Sequence, residues 1–188
     1  MARVPLLDVE DSPALMELTD RIRAARRGRV INVYRLLLHS PPLAETWFEH
    51  NNAVRCAFAS VLAGRLMRAG GRGSIINVAS VNAVRPGPMQ GIYSITKGAV
   101  LNMTKSFARE CGPDGIRCNA ILPGLIRTKF AGALLADEKQ VKHYVGDNPL
   151  RRVGEPQDLA GAAVFLASDA SSYMTGNNVV VDGGWTAW

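Results

Sequence analysis

Ser80, Tyr93 and Lys97 are the residues whose types and spacing suit proton transfer. They lie in one stretch, Gly73 to Lys97, that reads GSIINVAS, a Pro/Gly-rich loop, then YSITK. A strand is expected to end at Ser80 and a helix to begin near Tyr93, with Lys97 one turn further on. Residues four apart on a helix share a face, so the phenol and the ammonium point the same way. An isolated tyrosine titrates near about 10 and is a poor base at neutral pH. A neighbouring ammonium favours the phenolate, and the Ser80 hydroxyl suits the oxygen of a carbonyl or an alcohol. That is general acid–base chemistry on a carbonyl/alcohol pair, and it requires a separate hydride carrier. Singly these residues say little, since Tyr-x-x-x-Lys occurs on many helices and serines often end strands.

Strands and helices alternate around this stretch, which predicts a parallel sheet wrapped by helices. Val4 to Asp8 reads as a short strand. Ser12-Pro13 offers an N-cap and a proline at the first helical position, and Leu15, Leu18, Ile22 and Ala25 give the following helix an apolar stripe. Val30 to Tyr34 reads as a strand. Arg35 to Leu43 reads as irregular, because Pro41-Pro42 should break any regular element. A helix is expected from Ala44 to Ala69, with Val54, Phe58, Val61, Leu62 and Leu66 on its inner side. Ser74 to Ala79 is the strand that leads to Ser80. Ile92 to Glu110 is a helix that turns Val100, Met103, Thr104 and Phe107 inward, and Arg117 to Leu122 is the next strand. Pro123-Gly124 opens a lid-like stretch, Leu125 to Asn148, with one short helix near Asp137 to Val145. Pro156 starts a last helix to about Ala167, and Val179 to Val181 is the final strand, before Asp182-Gly183-Gly184.

The composition is that of an ordinary globular chain: 188 residues, 47% hydrophobic and 20% charged. That length suits one domain with a real core. No apolar run is long enough to span a bilayer, and the chain does not open on a charged segment followed by an apolar one, as a secretory signal would. Cys56, Cys111 and Cys118 lack metal-ligand spacing, so no metal is expected; they suit a reducing, cytoplasmic setting. The net charge of +6 raises nucleic-acid binding through Arg21, Arg23, Arg26, Arg27 and Arg29. That cluster fits the last turn of a helix, where cations complement the macrodipole, and no aromatic residues interleave to stack on bases. Neither a nucleic acid nor a membrane is therefore an expected partner.

Taken together, the motifs resemble the short-chain dehydrogenase/reductase family. Ser80 stands thirteen residues before Tyr93, a spacing that family commonly uses. GIRCNAILPGLIRT is similar to its strand and Pro-Gly turn beside the nicotinamide, and GEPQDLAGAAVFLASDASSYMTGNNVVVDGGW to its C-terminal helix and last strand. The resemblance runs from about Asp8 to the C-terminus. It implies an α/β fold, a Rossmann-like doubly wound parallel sheet with helices on both faces, as a single domain over residues 1–188. It also implies an NAD(P)-dependent oxidoreductase interconverting a secondary alcohol and a ketone, with Tyr93 as acid/base, Ser80 orienting the reacting oxygen and Lys97 assisting both tyrosine and nicotinamide ribose. NAD or NADP would be held by Pro123, Gly124, Ile126 and Thr128, by Tyr93 and Lys97, and by Asp8 and Val9 at the adenine. The helices at 44–69 and 92–110 would pack subunits of a homo-oligomer, and Asn82, Val84, Met89 and Gln90 would shape the pocket of a small alcohol or ketone.

Three features depart from the family pattern. Its opening strand, Thr-Gly-x-x-x-Gly-x-Gly turn, helix and second strand have no counterpart, so the first βαβ portion of the fold is missing and the cofactor is expected to bind weakly. Gly71-Arg72-Gly73, the only Gly-x-Gly, leads into a strand and is a turn, not a phosphate cradle at a helix N-terminus. Arg35-Leu36-Leu37-Leu38 stands where the family has Asn-Asn-Ala-Gly, and its usual catalytic asparagine falls at Ala53, with Asn52 beside it. An alternative follows: a catalytically impaired chain that only associates with related subunits. Without the first two strands, Val4 to Asp8 is expected to move in beside Val30 to Tyr34.

Overall fold

A computed structural model describes residues 16–25, 41–88 and 90–187, and the chain divides into two compact units, 1–52 and 53–188. The expected strands at Val4 to Asp8 and Val30 to Tyr34, their pairing, the Ser12-Pro13 cap and Arg35 to Leu38 lie outside the described residues. Helix α1 (Met16–Ala25) forms where the sequence places it. Its Thr19 is buried, and an Arg23–Asp20 ion pair at 3.4 Å lies on its surface. The expected stripe residues, Leu15, Leu18, Ile22 and Ala25, lie outside the described side chains.

In the second unit, three parallel strands, β1 (Gly73–Val78), β2 (Ile116–Pro123) and β3 (Asn178–Val181), form a sheet in that order. Gly73 pairs with Ile116 and Val78 with Ile121; Ala120 pairs with Asn178 and Pro123 with Val181. Strand side chains alternate between faces, and the two faces of β1 meet different helices. Asn77 reaches α2 (Pro41–Ala69) and α3 (Gly91–Cys111) through Ser60 and Thr104, whereas the Ser74 hydroxyl donates to the Leu166 carbonyl of α6 (Ala160–Ala167). Helices therefore cover both faces, the doubly wound arrangement expected. The central strand β2 is the most deeply buried, with Cys118, Asn119, Ala120 and Leu122 wholly out of solvent.

Helix α2 departs from expectation twice. It begins at Pro41, so the proline pair opens the helix instead of breaking it. A proline in the first turn lacks an N–H that would have had no helical partner there. Its expected inner residues also face out: Phe58 is 66% exposed, Leu66 78%, and Val54, Val61 and Leu62 are exposed with them. The buried side carries Ser60, with Gly64 and Met67. Gly64 faces α3, where a Cβ would make ordinary contact with Cys111 Sγ at 3.6 Å. Met67 joins Phe107 against Ile75, Ala108, Cys111, Ile116 and Cys118. The large apolar residues thus make an outer face, and Ser60, Gly64 and Met67 the inner one.

Helix α3 behaves as expected: Val100 and Thr104 are buried, and Met103 and Phe107 pack against the two core clusters. The lid stretch holds two helices instead of one, α4 (Gly132–Ala136) and α5 (Glu138–Asp147). Asp137 separates them, because its carboxylate accepts the Lys139 and Gln140 amides and so caps α5. The last helix starts as a 3₁₀ turn over Pro156–Leu159 and continues as α6. No helix of the described residues is long and apolar enough to cross a membrane.

Candidate active site

The carboxyl end of the parallel strands is where open α/β sheets bind ligands, and of the expected residues Ser80 follows β1, Tyr93 and Lys97 open α3, and Pro123-Gly124 ends β2 there. Ser80 follows β1 in an extended conformation (φ −170°, ψ 156°). Its Oγ accepts the Asn82 amide at 3.2 Å, which caps the 3₁₀ turn Val81–Ala83. An acceptor role toward that amide leaves the hydroxyl proton for another oxygen. The 3₁₀ turn packs against α3, and α3 begins at Gly91, so Tyr93 and Lys97 stand on its first two turns. The Lys97 ammonium lies over the Tyr93 ring, 5.5 Å from its centroid, within cation–π range.

The loop between Ser80 and Tyr93 is tied to itself. The buried Asn82 amide donates to Gln90 Oε1, and Gln90 is the N-cap residue of α3. The Gln90 carbonyl accepts the Ser94 hydroxyl at 2.7 Å. The clasp links the 3₁₀ turn after β1 to the start of α3, so it bridges the loop between Ser80 and Tyr93. Asn82 and Gln90 thus hold the loop together; Met89 lies outside the described residues, and Val84 is exposed.

The turn after β2 supplies a second set of groups. Gly124 N–H makes the last sheet bond, to Val181 O at 3.0 Å. A Cβ at Gly124 would lie 2.9 Å from Asp182 Cα and overlap the Tyr144 hydroxyl, so glycine is required by close approach. Ile126 forms a parallel bridge with Gly154: Gly154 N–H donates to Leu125 O at 2.9 Å, and Arg127 N–H to Gly154 O at 2.8 Å. Successive peptide groups of an extended segment alternate. The N–H and C=O of Ile126 itself therefore face away from Gly154. Thr128 Oγ1 accepts the Ala131 amide at 3.3 Å. Phe130 brings this segment to the tyrosine, its ring centroid 6.3 Å from that of Tyr93.

These groups fit the nicotinamide end of a dinucleotide, with an outward-facing amide and carbonyl beside a glycine. Among the described residues no comparable fit exists for its pyrophosphate: Gly71-Arg72-Gly73 feeds β1, as the sequence implied. Asp8 and Val9 lie outside the described residues, as do the side chains of Asn52 and Ala53. A cavity of about 150 Å³ lies beside Ile126, lined by Leu125, Asn148, Leu150, Val181 and Asp182 among others. Ligand sites run to roughly 300–1,000 Å³, and neither Ser80 nor Tyr93 lines this one, so it is separate from the site those residues would form.

Sequence reasoning missed three residues that hold the turn. Tyr144 on α5 accepts the Leu125 amide at 2.9 Å, and burial pushes its phenol up from the ordinary tyrosine range. The wholly buried Asn148 donates to Asp182 O at 2.8 Å. Asp182 collects the Gly184 amide at 2.8 Å and the Thr186 amide and hydroxyl at 2.7 Å each. Only the last left a trace in the sequence, the Asp-Gly-Gly run, whose two glycines take φ of 69° and 92°.

Comparison with known proteins places these elements in context. Residues 49–186 match the family model described as enoyl-(acyl carrier protein) reductase. An L-rhamnose-1-dehydrogenase of Scheffersomyces stipitis is 43% identical over 143 residues, 74% of this chain and 55% of the relative. A gluconate 5-dehydrogenase of Burkholderia cenocepacia, solved with NADP and tartrate, superposes with a TM-score of 0.65 at 38% identity, over 66% of this chain and 49% of that one. A short-chain type dehydrogenase/reductase of Mycobacterium ulcerans gives 0.64 at 39% identity, over 66% and 46%. The chain spans about half the length of the curated relatives it matches.

Proposed function

Because the chain belongs to the short-chain dehydrogenase/reductase family, we propose that it serves a nicotinamide-dependent oxidoreductase that interconverts a secondary alcohol and a carbonyl compound. What supports this reading is that Ser80 follows β1 and that Tyr93 and Lys97 open α3 at the carboxyl end of the sheet, with Phe130, after the turn at Ile126, near the Tyr93 ring. The Ser80 hydroxyl donates to the reacting oxygen and orients it. Tyr93 as phenolate takes the alcohol proton, or as phenol returns it to the carbonyl, and the Lys97 ammonium stabilises the phenolate. NAD or NADP, when bound, accepts or supplies the hydride; Ile126 would hold the carboxamide, with Gly124 and Thr128 beside it and Lys97 at the ribose. The relatives named for L-rhamnose and gluconate point to a sugar or sugar acid as the small-molecule substrate.

Cofactor affinity of this chain alone is proposed to be low, since its one Gly-x-Gly leads into β1. Each charge-assisted phosphate bond forgone is worth roughly 1.5–3 kcal/mol. The exposed faces of α2 and α3, with Phe58, Leu62, Leu66 and Ile95, favour a homo-oligomer built through these helices. They also give weight to a second reading, in which the chain mainly associates with related subunits. The test is incubation of the purified chain with aldoses and aldonates and NAD⁺ or NADP⁺, following reduced-nicotinamide absorbance. Turnover of any of them supports the enzyme reading; none at millimolar cofactor leaves association as the function.

A further inference from the structure

Tyr144 joins three segments that are distant in sequence, and the proposed chemistry makes no use of it. Its hydroxyl lies between the turn after β2 and the turn after β3, accepting Leu125 N–H at 2.9 Å and donating to Asp182 O at 3.4 Å. Its ring stacks on Trp185, with centroids 5.8 Å apart and planes 23° apart. Trp185 is itself held by Arg85, whose guanidinium lies 4.5 Å from the ring centroid and donates to the Trp185 carbonyl. A phenylalanine would fill the same stack, so the hydroxyl is explained by its bonds and not by packing.

Those bonds fall where the sheet stops supplying them. The last ladder bond is made by Gly124 N–H, and the next amide, that of Leu125, is taken by the Tyr144 phenol. The Leu125 carbonyl is taken by Gly154. Both peptide planes flanking Leu125 are therefore fixed, and the second of them carries the Ile126 N–H. That N–H faces away from Gly154, on the side assigned above to the nicotinamide.

We propose that Tyr144 is a positioning residue: its hydroxyl fixes the Gly124–Leu125 peptide and so steadies, from the N-terminal side, the Leu125–Ile126 peptide that Gly154 holds and that meets the nicotinamide. The identity of the bound group rests on the oxidoreductase reading; the latch itself does not.

Tyr144→Phe removes the hydroxyl and keeps the ring on Trp185. In the full chain, residue-resolved amide hydrogen exchange should quicken at Leu125 by about two- to tenfold, the equivalent of one net hydrogen bond. Ile75 and Ile121 should keep their wild-type rates. NADPH affinity, read by nicotinamide fluorescence, should fall by a similar factor. Gly124→Ala presses on the same hydroxyl from the turn side and should quicken the same amide, which covers a Tyr144→Phe chain that fails to fold. Unchanged exchange at Leu125, or an equal rise at Ile75 and Ile121, overturns the proposal in favour of a general stabilising role. A local rise in a chain that takes up no NADPH supports the latch and counts against the cofactor reading.

Discussion

Asn77 offers the sharpest test of how the sheet is fastened to its helices. Its side chain is buried on β1, three residues before Ser80, and accepts the Ser60 hydroxyl of α2 at 3.3 Å. Its amide donates to Thr104 Oγ1 of α3 at 3.0 Å and approaches Cys118 Sγ of β2 at 3.5 Å. Asn77→Ala deletes two oxygen-accepted bonds, at about 1 kcal/mol each, and leaves the Ser60 hydroxyl buried without an acceptor, at about 1 kcal/mol or more. Thr104 is spared that penalty, because its hydroxyl donates to Val100 O at 2.8 Å. The sulfur contact is too weak to count. The sum is about 3 kcal/mol, against a total stability of roughly 5–15 kcal/mol for a domain. Urea unfolding followed by circular dichroism should therefore show the midpoint falling by about 1–3 M, for slopes of about 1–3 kcal/mol per molar. A double-mutant cycle with Ser60→Ala should return a coupling of about 1 kcal/mol between the two residues. A midpoint within about 0.3 M of wild type at unchanged slope would refute the network.

Other consequences are equally open to measurement. Burial, with a smaller effect of Cys111, pushes the Cys118 thiol up to about 11, and Cys111 is buried as well while Cys56 is exposed. Native alkylation at neutral pH should label one thiol of three, and fast labelling of Cys118 would contradict the core described. Arg152 bonds both Asp158 oxygens, at 2.6 and 2.8 Å, and the Glu155 amide adds a bond at 2.7 Å; together they hold the carboxyl well below its ordinary value near 3.8. A depressed carboxylate stabilises the fold above its unfolded value and loses that effect as pH falls through the folded one. Melting curves of wild type and Asp158→Asn should thus differ above pH 3.8 and converge as acidity increases below it; a gap that persists in strong acid would show another cause. Phe58→Arg with Ile95→Arg should convert any oligomer to monomer in sedimentation velocity without unfolding it, since both residues are exposed in the single chain. An unaffected oligomer would move the interface elsewhere.

How much of this was legible beforehand follows from the range of the forces involved. Strand β1 and helix α3 announced themselves because local periodicity and burial agree there: Ile75 and Asn77 face one layer, and Val100 and Thr104 follow at helical spacing. Helix α2 misled because size was read as depth. Phe58 and Leu66 are large and apolar, yet the side that meets the core carries Ser60, Gly64 and Met67, and nothing local states which side of a helix a neighbour will take. Pro41-Pro42 misled for a related reason, since a proline pair stops a helix from within and opens one from its first turn. Ser80, Tyr93 and Lys97 stand out in the sequence through their spacing together with the family-like motifs around them, and their roles are proposals. Tyr144 does not: its partners, Leu125, Asp182 and Trp185, lie 19 or more residues away, and only the folded chain brings them together.

The central claim, that Tyr93 moves the proton while hydride passes to a nicotinamide, is tested most directly in single turnover. A sugar substrate deuterated at the oxidised carbon, mixed with an excess of this chain and NAD⁺ or NADP⁺, should pass its deuterium to the nicotinamide. Tyr93→Phe should slow that transfer by about 10²–10⁴-fold, the usual worth of a positioned acid/base, with the fold intact by circular dichroism. Transfer at the wild-type rate in Tyr93→Phe would contradict the account.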